Sequence, residues 1–304
     1  MTRHGHTIHT TMILMVALVL GSVSLYSQDA VKDDTNIAKE AYNEGLSQMQ
    51  QGNLELAISF FATAIAKDPD YIDAYLNLGV VFFQSNLYDE ALEQFQKVVE
   101  KDPRNIDGFA NIGRVENKMK RRAKAEEAFQ AALAIAPENG DILKELGKVK
   151  YVRKKYAEAA ETLEKCNQVG GGDRTTHFYL GKAYQKQEKL TQAIASLQEA
   201  LKLKSDYYNA HFALGQIYLS QEKFSKAASS FKAALNADPK KYRASYNYAV
   251  AVESLDQDNI DANIANWSAF IKLAKNNPKA KNDVAIAEQH VKELKTRKEK
   301  LNYE

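Results

Sequence analysis

One spacing constrains this sequence more than any other: small residues recur every 34 positions between residues 38 and 241. If each 34-residue stretch is numbered from 1, glycine stands at position 8 and alanine at position 20 in six consecutive stretches. These residues are Gly45, Gly79, Gly113, Gly147, Gly181 and Gly215, with Ala57, Ala91, Ala125, Ala159, Ala193 and Ala227. Apolar residues around them recur at three and four positions, as on one face of a helix. Each stretch therefore predicts two helices whose backbones approach closely at the small residues.

Residues 72–105 show the full pattern. Its landmarks are Tyr75, Leu78, Gly79, Phe82, Ala91, Phe95, Val98 and Pro103. The proline ends the second helix, because the residue before a proline avoids the helical conformation. The pattern resembles the tetratricopeptide repeat. That resemblance implies an all-α fold, a right-handed superhelical solenoid of antiparallel helix pairs in which each pair packs on its neighbours.

The 34-residue frame divides the chain into segments. Six repeats are predicted at 38–71, 72–105, 106–139, 140–173, 174–207 and 208–241, followed by a degenerate seventh at 242–278. Residues 279–304 are predicted to form a capping helix and tail, because Val284, Ala287, Val291 and Leu294 lie on one stripe of an otherwise charged segment. Residues 28–37 are polar and are interpreted as a flexible lead-in.

The fourth repeat departs most from the pattern, since Gly170, Gly171 and Gly172 stand around its proline position. A phosphate-binding loop does not fit there, because no strand precedes it and Gly181-Lys182 is followed by alanine. The triple glycine is interpreted as a flexible turn between repeats. The single cysteine, Cys166, stands at position 27, where a small buried residue is expected rather than a reactive thiol.

The N-terminus, residues 1–27, has the features of a secretory signal. Arg3 precedes a 14-residue apolar run from Met12 to Leu25, which is shorter than the about 20 residues of a membrane span. Cleavage is expected near Ser27, which predicts a periplasmic or secreted protein; an uncleaved N-terminal membrane anchor is the alternative. No cysteine follows the apolar run, so a lipoprotein anchor is not expected.

Family resemblance also implies where ligands bind: along the concave surface lined by the first helices, at positions 2, 5, 6, 9 and 12. The candidates on this surface are Asn77, Asn111, Lys144, Lys148, Tyr151, Phe178, Tyr179, Lys182, Phe212, Gln216, Tyr246 and Asn247. A carboxylate clamp is not expected, because Lys148 and Tyr179 stand where that motif has asparagine. Asn77 and Asn111 fit two rungs of an asparagine ladder for a peptide backbone, and ordinary solvated asparagines fit equally well.

Charge is distributed unevenly, although the net charge is only +2. Residues 38–105 carry 5 Lys/Arg and 11 Asp/Glu, whereas residues 174–241 carry 11 and 5. Between these regions lies the predicted basic edge of repeats three and four: Lys120, Arg121, Arg122, Lys124, Arg153, Lys154 and Lys155. These residues follow equivalent helices one repeat apart and are expected side by side. Either this edge is simply solvated, or it docks an acidic partner or an anionic surface. Export does not favour nucleic acid as the partner.

No catalytic or metal-binding motif accompanies these features, and no cofactor is expected. His177 and His211 stand at position 4, where aromatic residues pack, and His290 is isolated on the predicted cap. H-E-x-x-H, G-x-S-x-G and paired cysteines do not occur in the sequence. The sequence therefore predicts a non-catalytic, protein- or peptide-binding scaffold of a bacterial cell envelope. The alternative is a recruiter of an acidic partner, anionic polymer or membrane surface through the basic edge.

Overall fold

A computed structural model describes residues 33–301, which form helices joined by short turns, without strands in that range. The chain divides into two compact units, Met1–Pro137 and Glu138–Glu304, called here the N-terminal and C-terminal units. Between residues 33 and 301, no helix is both long and apolar enough to cross a bilayer. The predicted signal of residues 1–27 lies outside the described residues.

Each unit is a series of helix pairs. In the N-terminal unit, α1 covers residues 33–50 and is followed by α2 (Leu54–Lys67), α3 (Ile72–Gln84), α4 (Tyr88–Lys101), α5 (Ile106–Lys118) and α6 (Arg122–Ile135). The C-terminal unit contains α7 (Gly140–Val152), α8 (Tyr156–Gln168), α9 (Arg174–Lys186), α10 (Leu190–Leu203), α11 (Tyr208–Ser220), α12 (Phe224–Ala237), α13 (Tyr242–Leu255), α14 (Ile260–Ala274), a 3-10 turn (Pro278–Ala280) and α15 (Lys281–Leu301). The all-α prediction is confirmed.

The position-8 glycines are where paired helices meet. A Cβ atom on Gly79 of α3 would lie 2.6 Å from the Phe95 ring of α4, and Phe95 is almost fully buried. The same contact joins Gly215 to Phe231, and Leu163 replaces the ring beside Gly147. Hydrogen is thus the only side chain that fits at position 8 without displacing the residue at position 24.

The turn inside each helix pair has a left-handed residue at position 15. These residues are Gly52, Asn86, Lys120, Lys154, Glu188 and Glu222, with φ between 56° and 82°. Glycine and asparagine adopt this conformation most readily, whereas lysine and glutamate are strained there. The repeat geometry therefore imposes the left-handed turn whichever residue the sequence provides.

Residues 33–37, which the sequence prediction placed in a flexible lead-in over residues 28–37, are helical and belong to α1. Lys67 Nζ lies 2.8 Å from Asp34 Oδ1, so an ion pair joins the start of α1 to the end of α2. This tertiary contact is not visible in the local composition. Residues 28–32 lie outside the described part of the chain.

The triple glycine after α8 makes a close contact instead of a loose connection. A Cβ on Gly171 would lie 2.6 Å from Gly140 Cα, and the Gly171 N–H donates to the Cys166 carbonyl at 2.9 Å. Two backbones therefore touch where α7 begins, and neither glycine has room for a side chain. The interpretation as a flexible turn overlooked this contact, because Gly140 is distant in sequence.

Cys166 is fully buried beside these glycines, as predicted. Its Sγ lies 3.2 Å from the carbonyl oxygens of Gly140 and Gly171, to which the thiol can donate. Burial raises the pKa of the Cys166 thiol, which disfavours the reactive thiolate. The side chain therefore packs a helix junction.

The last helix, α15, covers the end of the C-terminal unit. Its predicted stripe of Val284, Ala287, Val291 and Leu294 is buried in one cluster with residues of α13 and α14. Ion pairs lie outside this apolar contact, including Arg297 Nη2 with Asp258 Oδ1 at 2.9 Å. An amphipathic helix at this place removes apolar surface from water.

We predict that Gly79→Leu lowers the free energy of unfolding by about 1–3 kcal/mol, because the new side chain overlaps the Phe95 ring. Chemical denaturation measures the change. Gln84→Leu is the control, since Gln84 is exposed on the same helix. A Gly79→Leu protein as stable as this control would contradict the close-packing role of position 8.

Candidate functional site

Five aromatic residues of the C-terminal unit form a continuous series, called here the aromatic ridge. They are, in order of contact, Tyr156, Tyr151, Tyr179, Phe178 and Tyr207, with successive ring centroids 5.4–5.5 Å apart. All five are half-buried, so each packs on the core and keeps part of its ring accessible. The structure thus brings together three predicted candidates, Tyr151, Phe178 and Tyr179, from α7 and α9.

Helix α9 is positioned by Asp173, which caps its N-terminus. Asp173 Oδ1 accepts hydrogen bonds from the backbone N–H groups of Thr175 and Thr176, both at 2.8 Å. Lys144 Nζ of α7 reaches Asp173 Oδ2 at 3.3 Å and Asp141 Oδ1 at 2.9 Å. The Asp141 hydrogen bond is the main reason that the pKa of Lys144 is raised. Lys144, a predicted ligand contact, therefore joins α7 to the N-terminus of α9.

The other two predicted lysines have different surroundings. Lys148 Nζ lies 2.7 Å from Glu145 Oε1 on the same helix. Lys182 Nζ donates to Gln185 Oε1 at 2.6 Å, and burial, followed by the nearby charge of Lys186, lowers its pKa. Both influences disfavour the charged form of Lys182, which a nearby carboxylate would favour.

A surface groove of about 620 Å³ begins at Lys182. It lies between α9 and α11 and is also lined by Gln185, Lys186 and Gln216. Gln216, a predicted candidate, is exposed there. The groove therefore offers amide and ammonium groups on the same helix that carries Phe178 and Tyr179, and Glu188 adds a carboxylate.

Three further candidates in the C-terminal unit lie apart from the ridge contacts. Phe212 stacks on Tyr208 with centroids 5.7 Å apart, and Tyr246 packs edge-on against Trp267 at 5.3 Å. Asn247 Nδ2 donates to the Arg243 carbonyl at 2.7 Å within its own helix. Tyr246 thus belongs to the cluster beneath α15.

Asn77 and Asn111, the two predicted ladder rungs, lie in the N-terminal unit and have unlike partners. Asn77 Nδ2 donates to Tyr42 Oη at 3.0 Å and to the Asp73 carbonyl at 2.9 Å. Asn111 Oδ1 instead accepts from Arg114 Nη1 at 2.8 Å. The two side chains are therefore held by different contacts, and the ladder stays a prediction.

The residues of the predicted basic edge are divided between the units and are partly neutralised within each. In the N-terminal unit, Arg121 lies 3.8 Å from Glu116 and 3.9 Å from Asp89. In the C-terminal unit, Lys155 Nζ lies 3.5 Å from Glu158. Lys120 and Lys154 are exposed at the left-handed turn positions. The remaining members, Arg122, Lys124 and Arg153, flank these turns, and the side-by-side arrangement stays a prediction.

His290 is not isolated, contrary to the sequence interpretation. Its Nε2 lies 2.9 Å from both carboxylate oxygens of Glu253, and its ring packs edge-on against Trp267. Trp267 Nε1 donates to Glu253 Oε2 at 2.8 Å. The interpretation missed this network because Glu253 and His290 stand 37 residues apart in the chain.

His177 and His211, by contrast, are half-buried among the helix pairs, where packing was predicted. Burial lowers the pKa of His177, and His211 Nε2 lies 2.7 Å from the Ser205 carbonyl. Within residues 33–301, no group of three His, Cys, Asp or Glu side chains is arranged to hold a metal ion.

Two members of the ridge, Tyr156 and Tyr207, were not among the predicted site residues. Tyr207 is the last residue of repeat five and contacts Phe178 at position 5. The same pairing occurs in repeat one, where Tyr71 contacts Tyr42 at 4.9 Å. Aromatic residues at both position 5 and position 34 were the signal that could have identified Tyr207.

The helix pairs repeat along the chain, and their first helices keep an accessible surface. These features define a repeat scaffold of the solenoid class. The chain matches the tetratricopeptide repeat family over residues 42–106, 112–165, 179–242 and 214–265. Because these matches span more than half of the sequence, the chain belongs to the tetratricopeptide repeat family, whose members are protein-interaction scaffolds. A search of curated proteins found no match.

Solved structures with similar folds support this assignment. One is the C-terminal part of a TPR repeat-containing protein from Cytophaga hutchinsonii, with TM-score 0.64, 19% identity, and coverage of 79% of this chain and 97% of that chain. YrrB, a TPR protein described as having an unusual peptide-binding site, has TM-score 0.54, 21% identity and coverage of 66% and 97%. PilW, a type IV pilus biogenesis factor, has TM-score 0.61, 16% identity and coverage of 71% and 97%.

We predict that Asp173→Ala lowers the stability of the protein by about 1–2 kcal/mol at neutral pH, because α9 loses its cap. Burial alone would raise the pKa of Asp173, but the Thr176 N–H and Lys144 outweigh it and hold the pKa below 3.8. The charged form therefore stabilises the fold fully above pH 3.8, and this stabilisation is lost as the pH falls through the folded-state pKa.

Asp173→Asn is the matched variant, since it keeps an acceptor oxygen and removes the charge. Its stability deficit relative to the native protein should shrink as the pH falls below about 4. Denaturation curves at several pH values measure this difference. A deficit that does not change with pH would contradict the role of the carboxylate charge.

Proposed function

We propose that the protein is a non-catalytic scaffold of the bacterial cell envelope that assembles complexes by binding a segment of a partner protein. The segment would lie along α7, α9 and α11 of the C-terminal unit. The observation that carries this proposal is the aromatic ridge. Its half-buried rings contact one another, pack on the core and remain partly accessible. Rigid aromatic residues of this kind contribute most of the binding energy in many interfaces.

Lysines beside the ridge indicate the chemistry of the partner. Lys182 stands one turn from Phe178 on α9, and its charge is only partly compensated. A segment with apolar or aromatic side chains would contact the ridge, and a carboxylate on the same segment would pair with Lys182. A carboxylate of the bound segment would also oppose the burial that lowers the pKa of Lys182.

The envelope location rests on the signal features of residues 1–27, and the protein would be periplasmic or secreted after cleavage near Ser27. Similarity to PilW, itself a type IV pilus biogenesis factor, supports a role in envelope assembly. YrrB supports peptide binding on a related scaffold. Both likenesses are likenesses of fold. The kind of partner is therefore inferred from the surface of this chain.

The variant Tyr179→Ala with Phe212→Ala tests the concave surface in a pull-down from envelope extract. Partners captured by the native protein should be lost or bound about tenfold more weakly, because two accessible rings are removed. Leu203→Ala is the control, since Leu203 is an exposed apolar residue on a second helix of the same unit. A folded Tyr179→Ala/Phe212→Ala protein that retains every partner would refute binding at this surface.

A second candidate function is recruitment to an anionic surface through the basic edge. The exposed lysines Lys120 and Lys154 favour it, since both occupy the left-handed position of equivalent turns. An anionic membrane, an anionic polymer or an acidic partner would interact with such charges mainly through salt-sensitive attraction.

Replacing Arg121, Arg122, Lys154 and Lys155 by Glu should abolish binding to anionic phospholipid vesicles, measured by sedimentation at low and high salt. A control with the same change in charge replaces the exposed residues Lys165, Lys232, Lys272 and Lys295 by Glu. If the two quadruple variants lose binding equally, overall charge rather than the basic edge is responsible.

A further inference from the structure

A pocket of about 630 Å³ opens between α13, α14 and α15. These three helices follow the residues of the aromatic ridge in the sequence. Its wall includes the aromatic residues Tyr246 and Trp267, the carboxylates Glu253 and Glu293, and the exposed side chain of Ile286. We propose that this pocket binds the arginine side chain of a partner protein. The site is separate from the proposed ridge surface and does not depend on it.

Glu253 is the anchor of the pocket. Trp267 Nε1 donates to its Oε2 at 2.8 Å, and His290 Nε2 lies 2.9 Å from both oxygens. Because a carboxylate only accepts, His290 carries its hydrogen on Nε2 in this contact. Each oxygen has two lone pairs, so this arrangement fixes the carboxylate and leaves it able to accept from a further donor. Its side chain is 20% exposed, which gives a ligand access.

The charge of the pocket selects a cation. Two of its ten lining residues are glutamates, and none is lysine or arginine. Arg297, one of the cations that follow on α15, is engaged by Asp258 at 2.9 Å and so does not fill the site. The pocket therefore presents two carboxylates beside apolar and aromatic walls, and His290 is the one basic side chain among its lining residues.

Guanidinium fits these walls better than a simple ammonium. It is planar, weakly hydrated and rich in donors, so it can stack on an aromatic ring while it donates to a carboxylate. The methylene stem of an arginine would contact Val250 and Ile286, which also line the pocket. A partner that presents an exposed arginine next to an apolar residue would bind there.

Trp267 provides a direct measurement, because it is the only tryptophan in the chain and lines the pocket. The probe is the pentapeptide acetyl-Gly-Gly-Arg-Gly-Gly-amide. The matched control peptide has citrulline, which is neutral and nearly the same shape, in place of arginine. We expect the arginine peptide to change the fluorescence of the full-length protein saturably, and the citrulline peptide to bind at least tenfold more weakly.

Variants locate the binding site. Glu253→Gln should weaken the arginine peptide about tenfold, and Glu293→Gln, which removes a carboxylate on the open side of α15, should weaken it severalfold. Glu288→Gln is the control, since Glu288 is exposed on α15 and does not line the pocket. Thermal denaturation verifies that each variant is folded. If Glu253→Gln does not fold, Glu293→Gln still tests the site.

Three outcomes would overturn the proposal. One is the absence of a saturable signal with the arginine peptide up to about 10 mM. Another is equal binding of the citrulline peptide, which would show that the pocket selects shape and not charge. The third is equal binding to the Glu293→Gln and Glu288→Gln variants. Loss of partners in the Tyr179→Ala/Phe212→Ala pull-down would be a separate result, since those residues do not line this pocket.

Discussion

The contact between a position-8 glycine and the residue at position 24 is the constraint on which each helix pair depends. A Cβ at any of the six glycines would lie 2.5–2.8 Å from the Phe or Leu at position 24. Because that separation is below van der Waals contact, the paired helices reach their observed spacing only with glycine present. The large residue in turn fills the space that the missing side chain leaves, and it is fully or almost fully buried in every repeat.

Since the framework positions serve packing, function must depend on positions that change between copies. Position 6, for example, is Asn77 in repeat two and Tyr179 in repeat five, on the same helical framework. The first donates to its own unit, whereas the second joins the aromatic ridge. One scaffold can thus present a polar surface in one region and an aromatic surface in another.

The end of the repeat array combines two roles. Helix α15 buries an apolar stripe, as a cap must, and side chains next to that stripe add His290 and Glu293 to a pocket that α13 and α14 could not complete alone. A capping helix is under fewer packing constraints on its outer side than a repeat helix. Residues there can consequently specify a partner without disturbing the repeat contacts.

The sequence by itself determined the helix pairs, their boundaries at Asp102-Pro103 and equivalent places, and the buried stripe of α15, because these features depend on spacing along one helix. It also indicated Tyr151, Phe178 and Tyr179 as accessible residues through the family resemblance. Only the tertiary structure decided that Gly171 touches Gly140 and that His290 contacts Glu253. Such contacts join different helices, and their geometry depends on helix rotation and separation, which local spacing does not determine.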